Sequence, residues 1–317
     1  MTGVQTCALP ISPGTPNAVN DSYSVAEGGT LNQTVISNWF NTNWKYRQQI
    51  VFDNSASAGN LTNADVLIRL HANAADAVHI DYSQSQDAGQ DLRFVDSNGN
   101  VLAYEIEQWD ELGYSFVWVK VPLINAGSTT DFIHMYYGNA TTLAGETPAD
   151  VWSPSDVAVF HMNGSAADST SYSNNSGVSN VVVGTGQVAG AGGFDGATSY
   201  INARSNSSLD NIFAGGGSLS AWINPAGWGE GGYGRILDKG ASTTSANGWG
   251  LQVTGSTSTN GYVILEHDFT LGVGRWRTAA GTLSLNTWQQ VVVVYDNTLL
   301  TNVPKVYING VEVSVTT

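Results

Sequence analysis

Short runs of alternating apolar and polar residues, closed repeatedly by glycine or asparagine, constrain this chain more than any other feature. A period of two belongs to a strand with one face in a core and the other in water, and the closing residues accept the backbone angles of tight turns. Residues 46–54 (YRQQIVFDN), 64–71 (ADVLIRLH), 114–124 (YSFVWVKVPLI) and 131–139 (DFIHMYYGN) all read this way. Composition agrees: 36 Gly, 10 Trp and 13 Tyr against only 12% charged residues favour strands and turns over helices. The expected fold class is all-β, and 317 residues suit two domains.

Charge narrows the partners. Eleven basic and 26 acidic residues give a net charge of −15, which repels nucleic acid and anionic membranes. No apolar run nears the roughly 20 residues of a membrane span, so membrane insertion is not expected. The single cysteine, Cys7, excludes an intrachain disulfide. Nothing in the sequence speaks to oligomeric state.

Residues 1–11 (MTGVQTCALPI) match nothing downstream. They resemble the translation of a short-read sequencing adapter, so they are set aside from the fold reading as an artefact would be. The competing reading, a signal-peptide remnant, has neither a basic n-region nor an adequate apolar stretch. Residues 12–31 (SPGTPNAVNDSYSVAEGGTL) resemble the first strand of bacterial cadherin-like and Ig-like repeats, and residues 12–37 are expected to be such a fragment or a linker. The chain is expected to be truncated at both ends.

Residues 92–109 (LRFVDSNGNVLAYEIEQW) read as a hairpin. A loop of Asn98-Gly99-Asn100 puts Leu92, Phe94, Leu102, Tyr104 and Ile106 on one face and sets Arg93 opposite Glu105. A two-residue loop mixes the polarities, so the longer loop is preferred. The pieces NWKYRQQIVFDN, DLRFVDSNGNVLAYEIEQWD, VWVKVP and DFIHMYYGNA, in that order, resemble the bacterial domain-of-unknown-function family numbered twenty-three forty-one. That resemblance implies a secreted β-sandwich over residues 38–149 and no established activity.

From residue 150 to 317 the pieces AVFHMNGSAADSTSYSNNSG, GGFDGATSYINA, GSLSAWINP, GRILDKG, GWGLQV, NTWQQVVVVYD and KVYINGVEV resemble the LamG-like, concanavalin A-like jelly roll. The resemblance implies a second β-sandwich lacking its last strands, which leaves an open edge. It also implies core roles for Trp222, Trp249, Trp288, Tyr295 and Tyr307.

No catalytic arrangement stands out. A glycosidase holds two carboxylates across a cleft. The candidates here are Glu105, Glu107, Asp110 and Glu111, and an ion pair with Arg93 accounts for Glu105. His71, His79, His134, His161 and His267 have no metal-ligand spacing. Nucleophile-elbow, P-loop and dinucleotide motifs are absent from the sequence.

Two binding sites are expected instead. The loop DSTSYSNN offers hard oxygen donors, with Asp168, Ser169 and Asn174 as calcium ligands and calcium the one cofactor suggested. An Asx-type turn at Asp168 is the competing reading. Trp228, Tyr233 and Arg235, in and beside a glycine-rich stretch, are candidates to stack on and hydrogen-bond a sugar. Arg275, Trp276 and Arg277 form a second cluster of the same chemistry, and packing beneath the loop is the alternative for Trp228. The function expected by resemblance is a non-catalytic carbohydrate-binding or adhesion module of a large secreted bacterial surface protein, with glycans or cell-surface polysaccharide as partners. An accessory module of a secreted polysaccharide-degrading enzyme and a structural spacer are the alternatives, since a jelly roll hosts many functions.

Overall fold

Where the sequence alternates, the backbone is extended. The computed structural model describes residues 2–5, 39–175, 177–204, 206–240, 248–269 and 272–317. The cadherin-like stretch of residues 12–37 lies outside them. The chain divides into a unit of Ala8–Ser153 and a second unit made of Pro154–Thr317 together with Met1–Cys7. The division thus falls at Ser153/Pro154, against 149/150 expected from sequence. Within the stretch set aside as foreign, Thr2–Gln5 form strand β1, which belongs to the C-terminal unit.

The N-terminal unit contains β2 (Tyr46–Val51), β3 (Leu61–His71), β4 (Val78–His79), β5 (Arg93–Asp96), β6 (Val101–Leu102), β7 (Tyr104–Gln108), β8 (Ser115–Ile124) and β9 (Phe132–Tyr137), followed by a short helix α1 (Pro148–Val151). They form two four-stranded sheets, in the orders β2-β9-β5-β6 and β4-β3-β8-β7. One face of each sheet feeds a common core: Ile50, Phe94, Ile133 and Met135 from the first, and Val66, Ile68, Leu70, Val117 and Val119 from the second. Burying such apolar side chains supplies about 1.5–3 kcal/mol each.

The hairpin corrects the register expected from sequence. Phe94 pairs with Leu102 and Val95 with Val101, so the loop is Ser97-Asn98-Gly99, one residue earlier than predicted. The reason is local. The Asp96 Oδ1 accepts the Asn98 and Asn100 N–H groups at 2.9 and 2.8 Å, and Gly99 takes φ 89°. A shift of two residues keeps the facing pattern, and Leu92, Phe94, Leu102 and Tyr104 are all buried in the core. The ladder then ends at Leu102 and the chain crosses to the other sheet, where Glu105 pairs with Trp118 and Arg93 pairs with Tyr136. Glu105 and Arg93 therefore do not meet.

The C-terminal unit contains β10 (Gly177–Ser179), β11 (Val182–Thr185), β12 (Gly190–Gly193), β13 (Tyr200–Asn202), β14 (Gly217–Ile223), β15 (Tyr233–Lys239), β16 (Trp249–Gly255), β17 (Gly261–Phe269), β18 (Gly272–Thr278), β19 (Gln289–Tyr295), β20 (Lys305–Ile308), β21 (Val311–Val313) and β22 (Val315–Thr316). A seven-stranded sheet runs β11-β12-β1-β14-β19-β20-β21 and a five-stranded sheet runs β15-β16-β17-β18-β22; β10 and β13 pair separately. Ala221, Ile223, Val291, Val293, Val306 and Ile308 of the larger sheet pack against Leu251, Val253, Val263, Leu265 and Trp276 of the smaller. Trp249 and Tyr295 join this core as expected. Trp222, Trp288 and Tyr307 are only half-buried. Trp222 and Tyr307 follow core residues Ala221 and Val306, so alternation turns them to the outer side of the large sheet.

Candidate ligand-binding face

The five-stranded sheet has a second face, and its register decides which residues share it. On β16 and β17, Leu251, Val253, Val263 and Leu265 point into the core, so Gln252, Thr254, Tyr262, Ile264, Glu266 and Asp268 point out. Ladder pairing then carries one row across four strands: Arg235 beside Gln252, Gln252 beside Ile264, and Ile264 beside Arg277. The next row runs from Asp238 through Gly250 and Glu266 to Arg275. Tyr233 joins the face beside Thr254, itself beside Tyr262. At strand spacings of ~4.8 Å, Arg235 and Arg277 stand about 14 Å apart.

Relief and polarity on this face are ordered. The middle strands make a floor of buried Gln252, Ile264, Glu266 and Asp268. The flanking strands carry an open rim: Tyr233 is 49% exposed, and the Arg235 and Arg275 side chains are 68% and 59% exposed. Two of the arginines are fixed in place. Arg235 pairs with Asp238 at 2.7 Å, and Arg275 pairs with Glu266. Gln252 donates to the other Glu266 oxygen at 3.2 Å. Held guanidinium groups keep their remaining N–H donors in defined directions, which suits an array of hydroxyl acceptors.

The structure thus joins two groups that the sequence kept apart, Tyr233 with Arg235 and Arg275 with Arg277, while removing both tryptophans. Trp228 is 9% exposed and lies in the core cluster. Its Nε1–H donates to the Thr257 carbonyl at 2.9 Å, and its ring fills space that side chains on Gly255 and Gly261 would need. Trp276 is 3% exposed, between Arg275 and Arg277 on the inward side of β18. Neither tryptophan offers a stacking surface, which corrects the expectation for both. For Trp228 the packing alternative is the one realised. Gln252, Glu266 and Asp268 were missed from sequence. The available signal was the alternation of WGLQVT and the spacing of Glu266 and Asp268 two apart in VILEHD, which leave these polar residues together on the non-core side.

The loop offered as a calcium site is a hydrogen-bonded clasp. Asp168 is buried, and its Oδ1 accepts the Val159 and Thr170 N–H groups, both at 3.0 Å. Its Oδ2 accepts the Thr170 hydroxyl at 3.0 Å and the Asn174 N–H at 2.7 Å. Asn174, also buried, donates to the Val157 carbonyl and accepts from Asn206 and Ser208. The Ser169 N–H donates to the Val159 carbonyl at 3.0 Å. With both carboxylate oxygens and the amide oxygen already taken by donors, Asp168, Ser169 and Asn174 as placed do not fit a calcium ligand set, and the Asx-type turn is what forms. Among the described residues no group of three or more His, Cys, Asp or Glu is placed to hold a metal ion.

The carboxylates weighed for catalysis are engaged by indoles and loop amides. Glu105 accepts the Trp152 N–H at 2.9 Å and Glu107 the Trp118 N–H at 2.6 Å, both buried. Asp110 caps its own loop through the Leu112 and Gly113 N–H groups, and Glu111 accepts from Trp109. Arg93 donates to the Gln90 and Leu143 carbonyls instead of pairing with Glu105. Among the described residues, no helix is long and apolar enough to cross a membrane.

Comparison with known families places these units. Residues 88–174 match the family model described as a domain of unknown function, DUF2341. Residues 195–317 match the model described as the concanavalin A-like lectin/glucanases superfamily. The chain carries these two domains in that order, and the second holds the whole arginine-bearing face. The first match crosses the division at Ser153/Pro154 and ends at Asn174, in the Asp168 clasp. No curated protein and no solved structure matches the chain.

Proposed function

We propose that this chain is a non-catalytic carbohydrate-binding or adhesion module of a large secreted bacterial surface protein, and that the outward face of the five-stranded sheet receives the glycan. The observation that carries this reading is the gathering of Tyr233, Arg235, Arg275 and Arg277 around a mostly polar floor on one sheet face. A tyrosine ring offers a flat apolar surface with a polar end, and guanidinium forks donate to hydroxyl oxygens. Side chains held on strands keep their geometry better than side chains on loops. Membership of the C-terminal domain in a lectin and glucanase superfamily supports the carbohydrate class. An extracellular setting suits an acidic chain whose net charge of −15 favours solubility. The same face would serve an accessory module of a polysaccharide-degrading enzyme.

The test is a glycan array probed with the 317-residue chain, in calcium and in chelator, beside Tyr233→Ala and Arg235→Ala variants. Binding to a defined glycan that persists in chelator and weakens at least tenfold in either variant supports the proposal. A folded chain that binds no glycan overturns it and leaves the spacer reading. Binding that both variants retain in full moves the site off this face.

A further inference from the structure

We infer that the glycan received by this face bears a carboxylate, and that the Arg277 guanidinium takes it. The inference rests on the carbohydrate reading above and names the chemical class within it.

The three arginines of the face are not equivalent. Arg235 and Arg275 have their charges met by Asp238 and Glu266. Arg277 is exposed, and among the described residues no carboxylate lies within ion-pair distance of it. Its ladder neighbours explain why: Ile264 on one side and Thr316 on the other carry no charge. In a chain with 26 acidic and 11 basic residues, an exposed arginine flanked by neutral residues presents an open, planar fork of donors. Carboxylates match that fork with two parallel hydrogen bonds, which a sugar hydroxyl cannot do. The overall charge of −15 does not oppose this, because charges beyond about 8 Å are screened at physiological salt.

A second observation lies on the neighbouring strand, β17. Asp268 is 4% exposed, and among the described residues its Oδ2 has no hydrogen-bond partner. Buried acceptors are normally satisfied, so an orphan on a candidate binding face points to a donor supplied from outside. An ionised carboxylate only accepts, and sugar hydroxyls donate. Asp268 lies four residues along β17 from Ile264, about 13 Å at 3.3 Å per residue. A ligand reaching both Arg277 and Asp268 is therefore an oligosaccharide rather than a single ring.

The test uses polysaccharides that carry uronic acids (pectate, alginate and hyaluronan), each beside its carboxyl-reduced counterpart and beside neutral glucans and xylans. Affinities are measured by titration calorimetry on the full chain and on Arg277→Ala and Arg277→Lys variants. The circular dichroism of each variant is checked against the parent. At least one uronate polymer is expected to bind, and carboxyl reduction is expected to weaken it tenfold or more. Arg277→Ala should impose a loss of similar size and abolish the difference between acidic and reduced forms. Arg277→Lys, which keeps the charge without the fork, should recover only part. Neutral glycans bound as tightly as uronates, with Arg277→Ala without effect, would overturn this inference and leave the carbohydrate reading intact. No binding to any glycan overturns both.

Discussion

Replacing Trp228 with alanine separates a core residue from a ligand platform. The Trp228 ring sits against the backbone of two strands. A Cβ added at Gly261 would lie 2.0 Å from Cη2 and 2.6 Å from Cζ2 of the ring, and one added at Gly255 would lie 2.6 Å from Cε2. Glycine at both positions is what lets the indole lie flat there. Removing a buried tryptophan costs about 3–5 kcal/mol in lost transfer energy and cavity. The orphaned Thr257 carbonyl adds little, since it lies in a loop where water can reach it. With a urea m-value of about 2 kcal/mol/M, the midpoint of the C-terminal unit should fall by roughly 2 M. Gly261→Ala in the parent should cost about 1–3 kcal/mol by overpacking. In the Trp228→Ala background the same change should be nearly neutral, because the methyl group enters space the ring has left. The coupling in that double-mutant cycle is thus expected at about 1–3 kcal/mol. Hydrogen exchange of β16 and β17 amides reads this unit separately from the other. A Trp228→Ala variant with an unmoved midpoint and additive behaviour with Gly261→Ala would refute the packing argument and return Trp228 to the surface.

Three further outcomes follow from named contacts. Asp168→Ala should destabilise the C-terminal unit by about 2–4 kcal/mol, because buried N–H donors lose their acceptor; equal melting shifts in calcium and in chelator identify a clasp, and a calcium-dependent shift would point to a metal site. In the N-terminal unit, fully buried Asp91 accepts the Gln86 N–H at 3.0 Å and the Gly138 and Asn139 N–H groups at 2.6 and 3.1 Å, so Asp91→Asn should cost about 2–4 kcal/mol by urea unfolding, and an unchanged midpoint would disprove the clasp's role. Burial, aided by the Arg47 charge, holds the His134 imidazole down at about 4 from its ordinary 6.5. The unfolded chain therefore takes up this proton first on acidification, so the stabilisation is complete above about pH 6.5 and is lost as pH falls toward about 4. It should amount to roughly 1–2 kcal/mol after solvent screening. His134→Gln should flatten that part of the pH–stability curve, and an unchanged slope would exclude His134 as its source.

The sequence by itself determined what its period could encode. Alternation assigned Leu92, Phe94, Leu102 and Tyr104 to one buried face even though the hairpin register was misplaced by two, because a shift of two leaves facing unchanged. Resemblance to two families, not alternation, separated two β units and implied a core for Trp249 and Tyr295, which the structure places there. Alternation could not say which side of a strand lies beside which side of another, since pairing partners are set by topology and not by neighbours in the chain. For that reason Arg235 and Arg277, 42 positions apart in the sequence, were read as separate clusters, and the strand crossover at Ala103 that parts Glu105 from Arg93 was not foreseen. Loop residues were hardest to read. The same glycine-rich stretch suggests an exposed tryptophan and a buried one equally well, and only the absence of side chains at Gly255 and Gly261, on strands reached much later in the chain, made room for the indole inside. Burial is a property of where distant segments meet, and tertiary structure alone decided it.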